Sequence, residues 1–103
     1  IDKVHYTHKT NVTILALTQL SSIYNIRSFF VWGWDKVDLW PEINTENFYP
    51  ISCAEMFDKN YTTIENLKHS KNPYIWPNAG HPNQMGHQLI ANKLTKFIQE
   101  KLT

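Results

Sequence analysis

A chain of 103 residues with 42% hydrophobic and 14% aromatic content is long enough for one small domain with a real core. Its formal charge of +1, with nine Lys against a single Arg, leaves no basic footprint for nucleic acid or an anionic membrane surface. No apolar run approaches the roughly 18 residues of a membrane span, no leader pattern is visible, and the opening residue is Ile, as expected of a processed or excised chain.

Residues 1–10 (IDKVHYTHKT) show no hydrophobic period and read as a connecting segment. From Asn11 to Tyr24, Val12, Leu15, Ala16, Leu20, Ile23 and Tyr24 keep helical spacing, and Asn25 suits the helix end because Asn tolerates the left-handed conformation. The next stretch, Ile26 to Trp32 (IRSFFVW), is short, aromatic and β-branched, the pattern of a buried strand in a parallel sheet. Residues 11–32 therefore predict a helix and a buried strand, half of a βαβ unit.

Residues 33–80 form a long loop region without sustained period, with short helices expected around Ala54 to Phe57 and Thr62 to Lys68. Asp35 and Asp38 at its start read as solvated loop charges. The lone Cys53 has no neighbouring base and reads as a small buried side chain. Asn11-Val12-Thr13 and Asn60-Tyr61-Thr62 match a glycosylation acceptor pattern that also arises often by chance. Trp32, Trp34, Trp40 and Trp76 are dense for so short a chain; they read chiefly as core, with Trp34 and Trp76 as candidates for stacking against a substrate.

Residues 81–103 hold a loop histidine and the most regular helix in the chain. Leu89, Ile90, Leu94, Phe97, Ile98 and Leu102 recur at steps of three and four, with Asn83 as the N-cap and Pro82 fixing the approach. His81 is thereby set on a rigid mount, with the small residues Ala79 and Gly80 beside it. His87 falls one turn into the helix and reads as packing or capping. His5-x-x-His8 has spacing that a metal could use, but no carboxylate or thiolate accompanies it, so no metal and no cofactor is expected.

The block Asn78-Ala79-Gly80-His81-Pro82-Asn83-x-x-Gly86-His87-x-x-Ile90-Ala91 resembles the last conserved block of the SGNH (GDSL-type) hydrolases, an Asp-x-x-His-Pro loop before the final helix. The resemblance implies an α/β three-layer sandwich, flavodoxin-like, with a parallel sheet, of which this chain would be the C-terminal helix-strand-loop-helix part. It further implies a serine esterase or O-acetylhydrolase acting on an acyl ester, such as one carried on a glycan, in which His81 is the catalytic base and Asn78 stands where the family orients its imidazole with Asp. An amide carries no charge to stabilise an imidazolium. None of Ser21, Ser22, Ser28, Ser52 or Ser70 lies in the Gly-Asp-Ser context of the family's nucleophile. The serine is therefore expected from an upstream portion of the same protein or from a partner chain. The alternative expectation is a non-catalytic module that reuses the fold for binding or structure. Both suit an extracellular, cell-surface or viral-particle setting better than a cytoplasmic one.

Overall fold

A computed structural model describes residues 3–103. Four helices carry about half of them: α1 (Lys3–Ile23), α2 (Cys53–Phe57), α3 (Ile64–Lys68) and α4 (Gln84–Leu102). The chain divides into two compact units, one of Ile1–Phe30 with Lys36–Phe48, the other of Val31–Asp35 with Tyr49–Thr103.

In the first unit α1 is longer than its hydrophobic period announces, and it takes in residues 3–10 of the segment read as a connector, whose first two residues lie outside the described ones. Its apolar residues are spread around the helix, so only Ile14 and Asn11 are buried and no single apolar stripe marks its start. What holds it is Asn11. This side chain is 0% exposed; its amide donates to the Thr7 carbonyl (2.8 Å) and to the Asp38 carbonyl (2.9 Å), while its oxygen accepts from the Trp40 N–H (2.8 Å). One carboxamide thus pins the loop at Asp38–Trp40 to the helix, assisted by an edge-on contact between His8 and Trp40 at 5.2 Å. With both ends of the amide engaged, Asn11 is no acceptor for a glycan in the folded chain. The helix ends as its sequence foretells. Asn25 takes φ 56°, Asn25 N–H bonds to Ser22 O (3.1 Å) and Ile26 N–H to Ser21 O (2.8 Å), a Schellman closure.

The expected parallel sheet does not form. Among the described residues the only β pairings are two isolated bridges, Phe30 with Phe48 (parallel) and Ile75 with Pro82 (antiparallel), and there is no sheet for a three-layer sandwich. The segment from Ile26 to Trp32 forms no strand beyond the single bridge at Phe30 and is used otherwise. Phe30 N–H bonds to Asn47 O (3.1 Å) with the two rings of Phe30 and Phe48 stacked at 5.0 Å, and Ile26 is 63% exposed. Farther along, the carbonyls of Trp32 and Gly33 accept from the Cys53 and Ala54 N–H groups at the start of α2. Groups that a neighbouring strand would need instead satisfy the open donors of a helix N-terminus.

The second unit builds its core from Ala54, Met56, Phe57, Leu67 and Ile75, against which Val31, Trp34, Ile51, Leu89, Ile90 and Leu94 pack. Each short helix is held by a cap. Ser52 and Glu55 form a capping box across α2 (3.1 and 2.9 Å), and Thr63 caps α3 through the Asn66 N–H (3.2 Å). Helix α4 lays Leu89, Ile90 and Leu94 on the core and meets Tyr49 edge-on through Phe97 at 5.2 Å. Cys53 is half-buried, and that burial pushes its thiol up. No helix among the described residues is long and apolar enough to cross a membrane.

Replacing Asn11 by Ala removes an acceptor from a buried N–H and a donor from two carbonyls. Chemical denaturation should show a loss of about 2–3 kcal/mol. A loss below about 0.5 kcal/mol, the ordinary range of a surface change, would rule out Asn11 as the clamp.

Candidate functional site: the His81 ribbon

His81 sits in a short two-stranded ribbon. Tyr74-Ile75-Trp76 runs antiparallel to His81-Pro82-Asn83 around the Ile75–Pro82 bridge, closed by Trp76 N–H to His81 O and Asn83 N–H to Tyr74 O, each 2.9 Å. Residues directly opposed across such a pair project from one face, and the next pair from the other. Ile75 is 3% exposed and belongs to the core. Trp76 and His81 therefore share the outward face, and both are exposed, the indole at 60%.

The turn between the two strands needs unusual backbone. Asn78 has φ 60° and Gly80 φ 74°. Asn is among the few side-chain-bearing residues that adopt the left-handed region readily, which gives Asn78 a conformational reason to be there. Its N–H is tied to the Lys68 carbonyl at the end of α3 (3.1 Å), and Ala79 N–H to Trp76 O (3.3 Å). Gly80 is buried under α3; a Cβ there would lie 2.9 Å from Ile64 Cδ1.

Asn83 locks the ribbon to α4. Its side-chain oxygen caps the helix by accepting from Gly86 N–H (3.0 Å), and its amide donates to the carbonyls of Pro73 (2.9 Å) and Ile75 (3.4 Å). The helix then passes so close to the ribbon that a Cβ on Gly86 would stand 2.2 Å from the Tyr74 carbonyl oxygen and 2.9 Å from Pro82 Cβ. In His81-Pro82-Asn83-x-x-Gly86 the last three named residues thus have one shared purpose, which is to hold the first.

The sequence-derived candidates separate on this frame. His81 and Trp76 come together. Asn78 lies in the same turn, but no hydrogen bond joins its carboxamide to the His81 ring, and its side chain is exposed. Trp34 is half-buried against the core of the second unit, where it packs. Four serines are engaged elsewhere: Ser52 in its capping box, Ser70 on the Leu67 carbonyl, Ser21 and Ser28 on each other. None bonds to His81. The exposed His87 is held through its backbone, which closes the first helical turn onto Asn83 O (2.9 Å). Among the described residues no group of three His, Cys, Asp or Glu is placed to hold a metal ion. Asp35 gains a partner that the sequence did not announce, accepting from the Tyr61 hydroxyl at 2.9 Å. Partial burial, that bond and the charges of Asp35 and Glu55 push the Tyr61 phenol up to about 12.

No protein-family model, curated protein or solved structure matches the chain.

In a helix interior, Gly→Ala ordinarily stabilises by about 1 kcal/mol. At Gly86 the clash is with a backbone carbonyl that cannot swing aside, so Gly86→Ala should instead destabilise by about 1–3 kcal/mol in urea unfolding. A stabilised variant would show that α4 does not approach the ribbon this closely. The Tyr61 phenol, with a folded pKa above its ordinary 10.0, contributes stability that is complete below pH 10 and lost as the pH rises through 12. Followed by phenolate absorbance, Tyr61→Phe should remove the latest-titrating tyrosine; an unaltered final phase would exclude the Asp35 contact as its cause.

Proposed function

We propose that the ribbon presents His81 as the general base of an ester-hydrolysing site that acts on an acylated saccharide, the serine nucleophile being supplied from outside residues 1–103. The observation that carries this is the pairing of an exposed imidazole with an exposed indole on one face of a backbone ribbon held from below. The likeness to the SGNH hydrolases supports it in the His81 block alone and brings no sandwich fold with it.

In this scheme an imidazole nitrogen of His81 takes the proton from the serine Oγ as that oxygen attacks the ester carbonyl. It returns the proton to the leaving sugar oxygen, then activates the water that releases the acyl group. Trp76 offers its face to the apolar side of the sugar ring and sets the ester against the imidazole. Asn78 stands in sequence where the family has its orienting Asp, and with neither a charge nor a bond to the ring it leaves the imidazolium formed during reaction less stabilised than beside a carboxylate. A rigid mount matters for this chemistry because a base must sit within hydrogen-bond reach of the proton it removes. The absence of any bond from Asn78 to the ring favours a second reading, in which the same Trp76–His81 face binds a glycan without cleaving it.

Hydrolysis of acetylated xylan and of nitrophenyl acetate by the full-length gene product separates the two. His81→Ala should lower turnover on both esters by about 10²–10⁴-fold. Trp76→Ala should raise KM for the polysaccharide and leave the small ester nearly unaffected. Asn78→Asp should raise turnover if the new carboxylate turns onto the ring, and leave it unchanged if position 78 serves only the backbone of the turn. Turnover unchanged in His81→Ala rejects the catalytic role, and no hydrolysis together with retained, Trp76-dependent glycan binding selects the second reading.

A further inference from the structure

The first unit contains a groove that neither the His81 chemistry nor the helix packing uses. It has a volume of about 440 Å³ and lies between the C-terminal end of α1, the chain just after it, and the loop at Asn44–Asn47. That volume falls within the range of about 300–1,000 Å³ typical of small-molecule sites. We infer that this groove binds a neutral saccharide unit, and that it does so independently of His81.

The lining decides the ligand class. Ser22, Asn25, Asn44 and Asn47 supply hydroxyl and carboxamide groups, and Ile26 and Phe30 supply apolar surface. Hydroxyls and carboxamides both donate and accept, and so do the hydroxyls of a sugar. The apolar pair suits the C–H face of a pyranose ring. Among the described residues the Ser22 hydroxyl, the Asn25 carboxamide and the Asn44 amide NH2 have no hydrogen-bond partner within the protein, since Asn44 uses only its oxygen, which accepts from Glu46 N–H at 2.9 Å. These groups are open to a ligand.

Charge argues against an anion. The lining contains no carboxylate and a single cation, Arg27, and its guanidinium is committed to the groove wall. It donates to Asn47 Oδ1 at 3.3 Å and lies 5.4 Å over the Phe29 ring. A phosphate or sulfate group would call for a cluster of cationic donors aimed into the space. The walls are also fixed before any ligand arrives. The Ser21 and Ser28 hydroxyls, both in the lining, bond to each other, Phe30 N–H holds Asn47 O, and the Schellman closure sets Asn25 in its left-handed conformation. Such preorganisation lowers the entropic cost of ordering side chains on a weakly held sugar.

The test is an amide-resonance titration of the isotope-labelled full chain with methyl glucoside, methyl galactoside and N-acetylglucosamine, taken to about 50 mM to cover millimolar affinity. Inorganic phosphate serves as a comparison. Shifts from at least one sugar should centre on Ser22, Asn25, Asn44 and Asn47, while phosphate leaves them in place. Ser22→Ala and Asn44→Ala, both at exposed positions and expected to keep the helical circular dichroism, should each weaken binding about fivefold, the worth of one hydrogen bond. The absence of shifts with every sugar overturns the inference. So do shifts that survive both substitutions, or shifts produced by phosphate instead. Because His81→Ala should leave this titration unchanged, failure here and failure of the ester-hydrolysis proposal are read separately.

Discussion

The Asn83 carboxamide is the interaction on which the second unit depends. One side chain closes the N-terminus of α4, holds the Pro73 and Ile75 carbonyls, and so joins a helix to a ribbon that shares no regular sheet with anything else. A two-stranded ribbon is marginal by itself in water. Here it survives because Ile75 is sunk in the core, Asn83 ties its far strand to α4, and Gly86 lets the helix come close enough for those bonds to be made. A larger residue at Gly86 would force the two apart, and the geometry of His81 would go with them.

Asn11 solves the same problem in the first unit. Both asparagines bring a helix and a loop together by spending a complete set of amide donors and acceptor on backbone groups that would otherwise be left bare. The reliance on carboxamides follows from the small apolar core. With only seven hydrophobic residues buried among the described ones, hydrophobic burial alone gives the loops few anchors, and polar side chains must satisfy loop backbone directly. That makes these positions unforgiving, because a buried group that loses its partner costs more than the bond itself contributed.

The proposed site follows the same logic. The rigid parts of the ribbon face inward and the chemically useful ones outward, so that Trp76 and His81 are positioned by backbone pairing and need no packing of their own. A side chain mounted this way keeps its backbone position while staying reachable by groups from elsewhere, as the proposed base role of His81 requires. The groove at the end of α1 is likewise built from groups left over after a helix has been capped.

Local sequence was sufficient where the determining forces are local. The period of Leu89, Ile90 and Leu94, the Asn83 cap and the left-handed Asn25 could all be read directly, because capping and amphipathic spacing act within a few residues. The short helix around Ala54 to Phe57 is read from the sequence, but the Ser52-x-x-Glu55 capping box that holds it is not, because it lies in an aperiodic stretch. The segment from Ile26 to Trp32 shows the limit. Its composition favours a strand, but a strand forms in a sheet only when a second strand offers matching donors and acceptors, and here α2 and the Asn47 loop take that place. The early turns of α1 were hidden for a related reason: a helix held by one buried amide to a distant loop carries no hydrophobic period to betray it. Sequence alone therefore determined which residues form the histidine loop and the helix behind it. The tertiary structure decided that Trp76 stands beside His81, that Asn78 is there for its backbone angle, and that Gly86 must be glycine, since each of these depends on segments that meet only after the chain has closed on itself.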